Sequence, residues 1–115
     1  MSWLYKIAVS EGRRLERNIR RLEDLRSRVH DLSYFVVASN SGGFQYLQEL
    51  LDENIVQGRP KVQAKLKEAL LGENNQKLAL DSPMRFQGLM REAEELIKYE
   101  IAKEKRQLKE TEDND

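Results

Sequence analysis

Leu15, Ile19, Leu22, Leu25, Val29 and Leu32 recur at spacings of three and four residues. At about 100° per residue they fall on one helical arc roughly 140° wide. The pattern predicts one long amphipathic helix. Trp3, Leu4 and Ile7 add an earlier turn to the same helix, with Gly12 as a weak point costing about 1 kcal/mol relative to alanine. Further on, Tyr34, Phe35, Val36 and Val37 favour a strand by propensity. No second strand-like run exists to pair with them, so the helix is expected to end near Ala38 and to give way to a loop, Ser39-Asn40-Ser41-Gly42-Gly43.

Phe44, Leu47, Leu50, Leu51 and Ile55 mark the buried face of a second helix that Gly58 ends. Pro60 suits the first position of a third, short helix carrying Val62, Leu66, Ala69 and Leu70 up to a terminator at Gly72. Ser82-Pro83 then reads as the start of a long fourth helix, serine as cap and proline with its preset φ. Its stripe is Phe86, Leu89, Met90, Ala93, Leu96 and Ile97, and Gly88 at its edge would admit a close neighbour. Ile101 and Leu108 continue that face, but Glu100, Glu104 and Gln107 enter it where a buried stripe calls for leucine. From about Ile97 onward the helix is expected to overhang into solvent on weak glutamate–lysine pairs, or to meet arginines of another surface.

The fold class expected is all-α, with four helices, the long first and last side by side and a short central helical hairpin across one end. Residues 1–109 form one domain and residues 110–115 a flexible acidic tail. Composition fits slender helices with a thin core, for hydrophobic residues are 39% and charged residues 35% of 115.

With no cysteine there is no disulfide framework, no thiol nucleophile and no cysteine-containing zinc site, which favours a reducing compartment. The longest purely apolar run, Phe35 to Ala38, cannot span a bilayer, and the amino terminus lacks the pattern of a signal peptide. A soluble, unprocessed, cytoplasmic protein is expected. Catalytic motifs are missing: no Gly-x-Ser-x-Gly elbow and no phosphate loop occurs, and the single His30 has no Glu-x-x-His pairing. The expectation is a non-enzyme without cofactor, metal or small-molecule substrate.

Charge draws attention to the first helix. Basic and acidic residues balance at 20 each, yet residues 13–30 hold seven arginines against three acids. Arg13, Arg17, Arg20, Arg21 and Arg28 gather within about 100° opposite the leucine stripe, with Arg14 at the border. Such a ridge suits phosphates or carboxylates. Asp24 and Asp31 fall in the same arc, spaced to pair with Arg20 or Arg21 and with Arg28, so a solvated face with internal ion pairs is the competing reading. A helix-turn-helix reading of the central hairpin, with Lys61, Lys65 and Lys67 after Arg59, puts Asn54 at the small buried position and requires Arg59 to be buried, which disfavours it. Trp3, Leu4, Tyr5 and Ile7 at one end, and Tyr34 and Phe35 at the other, either cap a lean core or form docking patches.

Two segments, Ser41-Gly42-Gly43-Phe44 with Tyr46-Leu47-Gln48-Glu49-Leu50-Leu51, and Phe86-Gln87-Gly88-Leu89 with Glu92-Ala93-Glu94-Glu95-Leu96-Ile97, resemble small, charged helical proteins of tailed bacteriophages, some of them encoded near head and packaging genes. The resemblance covers about thirty residues and implies a virion or assembly component that acts as an interface. The expected function is therefore helical interaction or assembly with a protein partner or as a homo-oligomer. Contacts are expected from Trp3, Leu4, Tyr5, Ile7, Arg13, Arg17, Arg20, Arg21, Arg28, Tyr34, Phe35, Ile101 and Leu108. The alternative is a nucleic-acid-binding packaging or regulatory factor that uses the arginines.

Overall fold

The computed structural model describes residues 2–35, 40–70 and 82–113, and side chains for residues 9–34, 45–70 and 82–112. These residues form five helices and no strand: α1 (Ser2–Phe35), α2 (Asn40–Asp52), α3 (Asn54–Gln57), α4 (Pro60–Leu70) and α5 (Pro83–Asp113). The stripes read from the sequence form the core. Leu15, Ile19, Leu22, Leu25, Val29 and Leu32 of α1 are buried against Phe86, Leu89, Met90, Ala93, Ile97 and Ile101 of α5 and against residues of α2, α3 and α4.

The long helices run antiparallel. Asn18 lies 3.3 Å from Glu104, Glu23 3.2 Å from Lys105 and Arg26 3.7 Å from Glu94, so residues pair where their numbers sum to about 120 to 128. The result is a slender molecule of 59 × 21 × 20 Å. The middle helices lie alongside this pair rather than across an end: α4 follows α5 in the opposite direction, from Arg59 beside Glu104 to Lys65 beside Glu92.

Three boundaries differ from the expectation. The second helix is two, because Glu53 takes an extended conformation (φ −73°, ψ 139°) between α2 and α3. No glycine or proline marks that break. It bends the chain so that the Glu53 carboxylate meets Arg28 on α1 at 2.7 Å. The expected loop from Ser39 to Gly43 is helical from Asn40 onward, since glycines in a first turn escape much of the propensity cost they carry in a helix interior. The acidic tail expected to be flexible is helical as far as Asp113. The proline signals match, α4 starting at Pro60 and α5 at Pro83, where the Phe86 amide donates to the Ser82 carbonyl. The proposed end of the first helix near Ala38 and the terminator Gly72 lie outside the described residues.

Packing among the described residues does not require glycine at Gly12 or Gly88. A Cβ at Gly12 would sit 3.8 Å from Leu108 Cδ1, an ordinary contact, and one at Gly88 would meet nothing within 4 Å. Gly88 is exposed and has no close neighbour among the described residues, contrary to the expectation. Gly12→Ala and Gly88→Ala should each raise stability by about 0.5–1 kcal/mol, read as a rise of a few degrees in thermal unfolding followed by circular dichroism. A fall at either position would show that the helix needs the missing Cβ.

Candidate interaction surface

On α1, Arg13, Arg14, Arg17, Arg20 and Arg21 are exposed and Arg28 is half-buried. The acids of the same face answer only part of this charge. Asp24 pairs with Arg28 at 3.0 Å, and Glu11 pairs with Arg14. Glu23 turns away to Lys105. The expected pairs of Asp24 with Arg20 or Arg21, and of Asp31 with Arg28, do not form: among the described residues no carboxylate lies within 4 Å of Arg13, Arg17, Arg20 or Arg21. The hydrogen bond from Arg14 holds the Glu11 carboxyl below its ordinary value. Burial acts to lower the pKa of the Arg28 guanidinium, but the Glu53 hydrogen bond and charge outweigh it and raise the value. Arg28 is thus a cross-link between α1 and the α2–α3 break rather than a free ridge residue.

Two polar knots sit on the α1–α5 seam. Glu94, buried, receives His30 Nδ1 at 3.0 Å and lies 3.7 Å from Arg26. The His30 ring stacks edge-on with Tyr34, their centroids 5.1 Å apart, and Tyr34 stays 54% exposed. The second knot explains the glutamates that interrupt the late α5 stripe. Glu104 takes Arg59 at 3.1 Å and Asn18 at 3.3 Å, and Glu100 lies 3.7 Å from Arg59. The Arg59 side chain is 17% exposed and that of Glu104 10%. The burial of Arg59 that counted against a DNA-reading hairpin does occur, but in service of this ion pair.

The structure also corrects the expected contact set. Ile101 is buried in the core, so it is not left over for a partner, and Leu108 is partly buried against that core. Trp3, Leu4, Tyr5 and Ile7 belong to α1 and Phe35 ends it, but their side chains lie outside the described residues. With Gly12 opposite Leu108, the antiparallel register sets Trp3 and Leu4 opposite positions beyond Asp113, the last residue of α5. The nearest α5 residues there, Lys109 to Asp113, include no apolar side chain.

Sequence reasoning missed two clefts along α4 and α5, the first of which reaches α1. A cleft of about 580 Å³ includes Arg14, Asn18, Arg59, Lys61, Lys103 and Glu104 in its lining. A second, of about 550 Å³, is lined by Lys65, Arg91, Glu92 and Glu95. Leu96 and Tyr99 line both. Tyr99 is 65% exposed. The available signal was an aromatic residue two positions past the last strong core residue, Ile97, on the polar side of an amphipathic helix. A hydrogen bond to Glu92 raises the pKa of the Lys65 ammonium.

Among the described residues no three acidic or imidazole side chains converge to hold a metal ion, and no helix is long and apolar enough to cross a membrane. Comparisons with protein families, with curated proteins and with solved structures find no match for this chain.

Proposed function

We propose that the protein is a non-enzymatic assembly or adaptor protein that works through protein–protein contacts, consistent with the phage head-and-packaging character its two helical segments resemble. The observation that carries this reading is the reach of α1 past α5. By helical spacing Leu4 and Ile7 continue the core stripe, with Trp3 at its edge, to where the described end of α5, residues 109–113, offers only polar and charged residues. A helix stripe that meets no apolar side chain among the described residues of α5 is completed by another chain. The test is chromatography with light scattering on the full chain, alone and with purified head proteins of a tailed phage. Association beyond the 13.5 kDa of one chain is expected, resistant to salt and lost in the Trp3→Ser/Leu4→Ser variant. A monomer under both conditions would overturn the reading.

A second reading, a nucleic-acid-binding packaging or regulatory factor, draws on the four ridge arginines that stand clear of any described carboxylate. Phosphate contacts release counterions, so affinity for duplex DNA would fall with a log–log slope of about −0.9 per phosphate neutralised. Replacing Arg17, Arg20 and Arg21 by glutamate would abolish such binding. Binding that is flat in salt, or unchanged by these substitutions, would exclude it.

A further inference from the structure

We propose that the cleft where α1, α4 and α5 meet binds single-stranded nucleic acid, with a base stacked on Tyr99 and neighbouring phosphates held by Lys61 and Lys103. The inference goes beyond the assembly reading; it rests on the nucleic-acid reading and gives it a ligand. The cleft has a volume of about 580 Å³, a size that suits a nucleotide unit. Its two acids are already engaged, Glu104 lying 3.1 Å and Glu100 3.7 Å from Arg59. Lys61 and Lys103 are exposed and have no carboxylate within 4 Å among the described residues. Arg14, paired with Glu11 on its own helix, lines the same cleft from α1. Cations from three helices thus converge on one concave surface, as a phosphodiester backbone requires.

Tyr99 supplies what a site for the backbone alone lacks. It is 65% exposed, and with Leu96 it also lines the adjoining cleft of about 550 Å³. An aromatic ring left open to solvent among cations is a platform for unpaired bases. Lys103 follows Tyr99 by four residues on α5, so their Cβ atoms stand about 6 Å apart, within the reach of a base and its own phosphate. A duplex keeps its bases stacked inside and offers Tyr99 only its backbone, which selects the single strand. Arg17 and Arg21 follow Arg14 on the same face of α1 at spacings of three and four. Both are exposed, with no carboxylate within 4 Å among the described residues. They extend the positive track beyond the cleft, where a strand can follow it and a free nucleotide cannot.

Fluorescence anisotropy with a labelled oligothymidylate of about ten nucleotides tests the site on the full chain, against a duplex of the same length. At low salt the strand should bind at least about fivefold more tightly than the duplex. Tyr99→Ala should weaken strand binding about tenfold, the loss of one base stack, and leave duplex binding unchanged, whereas Tyr99→Phe keeps both. Lys61→Gln with Lys103→Gln should make the log–log salt slope of strand binding shallower by about 1.4, two phosphates at about 0.7 each. All three residues are exposed, and circular dichroism checks that the helices are kept. No strand binding at low salt, no effect of Tyr99→Ala, an unchanged salt slope, or thymidine monophosphate bound as tightly as the strand would each overturn the proposal. Tighter binding of the duplex, insensitive to Tyr99→Ala but lost when Arg17, Arg20 and Arg21 become glutamate, would overturn it and leave the nucleic-acid reading intact.

Discussion

Truncating Leu22 to alanine should lower the free energy of unfolding by about 3–5 kcal/mol, measured by urea denaturation at unchanged slope. Leu22 has no exposed surface and lies in the middle of α1, within the core cluster that draws residues from every helix. The loss combines the transfer free energy of the missing methylenes with the cavity left behind. Collapse of that cavity is limited, because α1 is braced on two sides, by α5 along its length and by Arg28 pinned to Glu53. For a chain of this length total stability is about 5–15 kcal/mol, so the variant loses a large share of it and its thermal midpoint falls by more than about 10 °C. Ile101→Ala is the internal comparison. Ile101 is 8% exposed and lies toward the thin end of the seam, so its truncation should cost nearer 2 kcal/mol. Equal costs at the two positions would mean that the core is uniform along its length, contrary to the tapering seen here.

The helical architecture was legible because it rests on local periodicity. Every member of the α1 stripe from Leu15 to Leu32 is buried, and Pro60 and Pro83 stand where a preset φ and a missing amide do least harm to a helix. What could not be read depends on residues far apart in sequence. The break at Glu53 carries no glycine or proline signal, and the carboxylate it turns toward Arg28 lies 25 residues away. The balance of charge on the α1 ridge is not legible from spacing for a related reason. Spacing shows which acids can reach an arginine on the same helix, but Glu23 is drawn off by Lys105 on α5 and Asp24 by Arg28. The glutamates within the late α5 stripe were visible as an anomaly. Their answer, Arg59, comes from the residue just before a different helix, α4. The groove beside it was invisible until α4 was laid along α5.

That buried pair yields a second large effect with an asymmetric signature. Arg59→Ala should destabilise the protein by about 2–4 kcal/mol, somewhat below the value for a fully dry pair because the cleft admits water. The variant strands a Glu104 carboxylate that is nine-tenths buried in the unmodified chain, and among the described residues Asn18 remains its one polar partner at hydrogen-bond distance. The converse change is mild. Glu104→Leu removes the buried charge and its unpartnered Oε2 atom, and fills the α5 stripe between Ile101 and Leu108 with the residue type it lacks. Arg59 then keeps Glu100 and an outlet to solvent through the cleft. Glu104→Leu should therefore change stability by less than about 1 kcal/mol, and Arg59→Met with Glu104→Leu should match or exceed the unmodified chain. The physical reason is that a half-broken buried pair strands a charge, whereas an apolar replacement of both partners removes the desolvation cost with the attraction. If Glu104→Leu proved as costly as Arg59→Ala, or the double replacement failed to recover stability, the knot would be contributing net attraction. It would then be a source of stability rather than a device that fixes the register of α4 on α5.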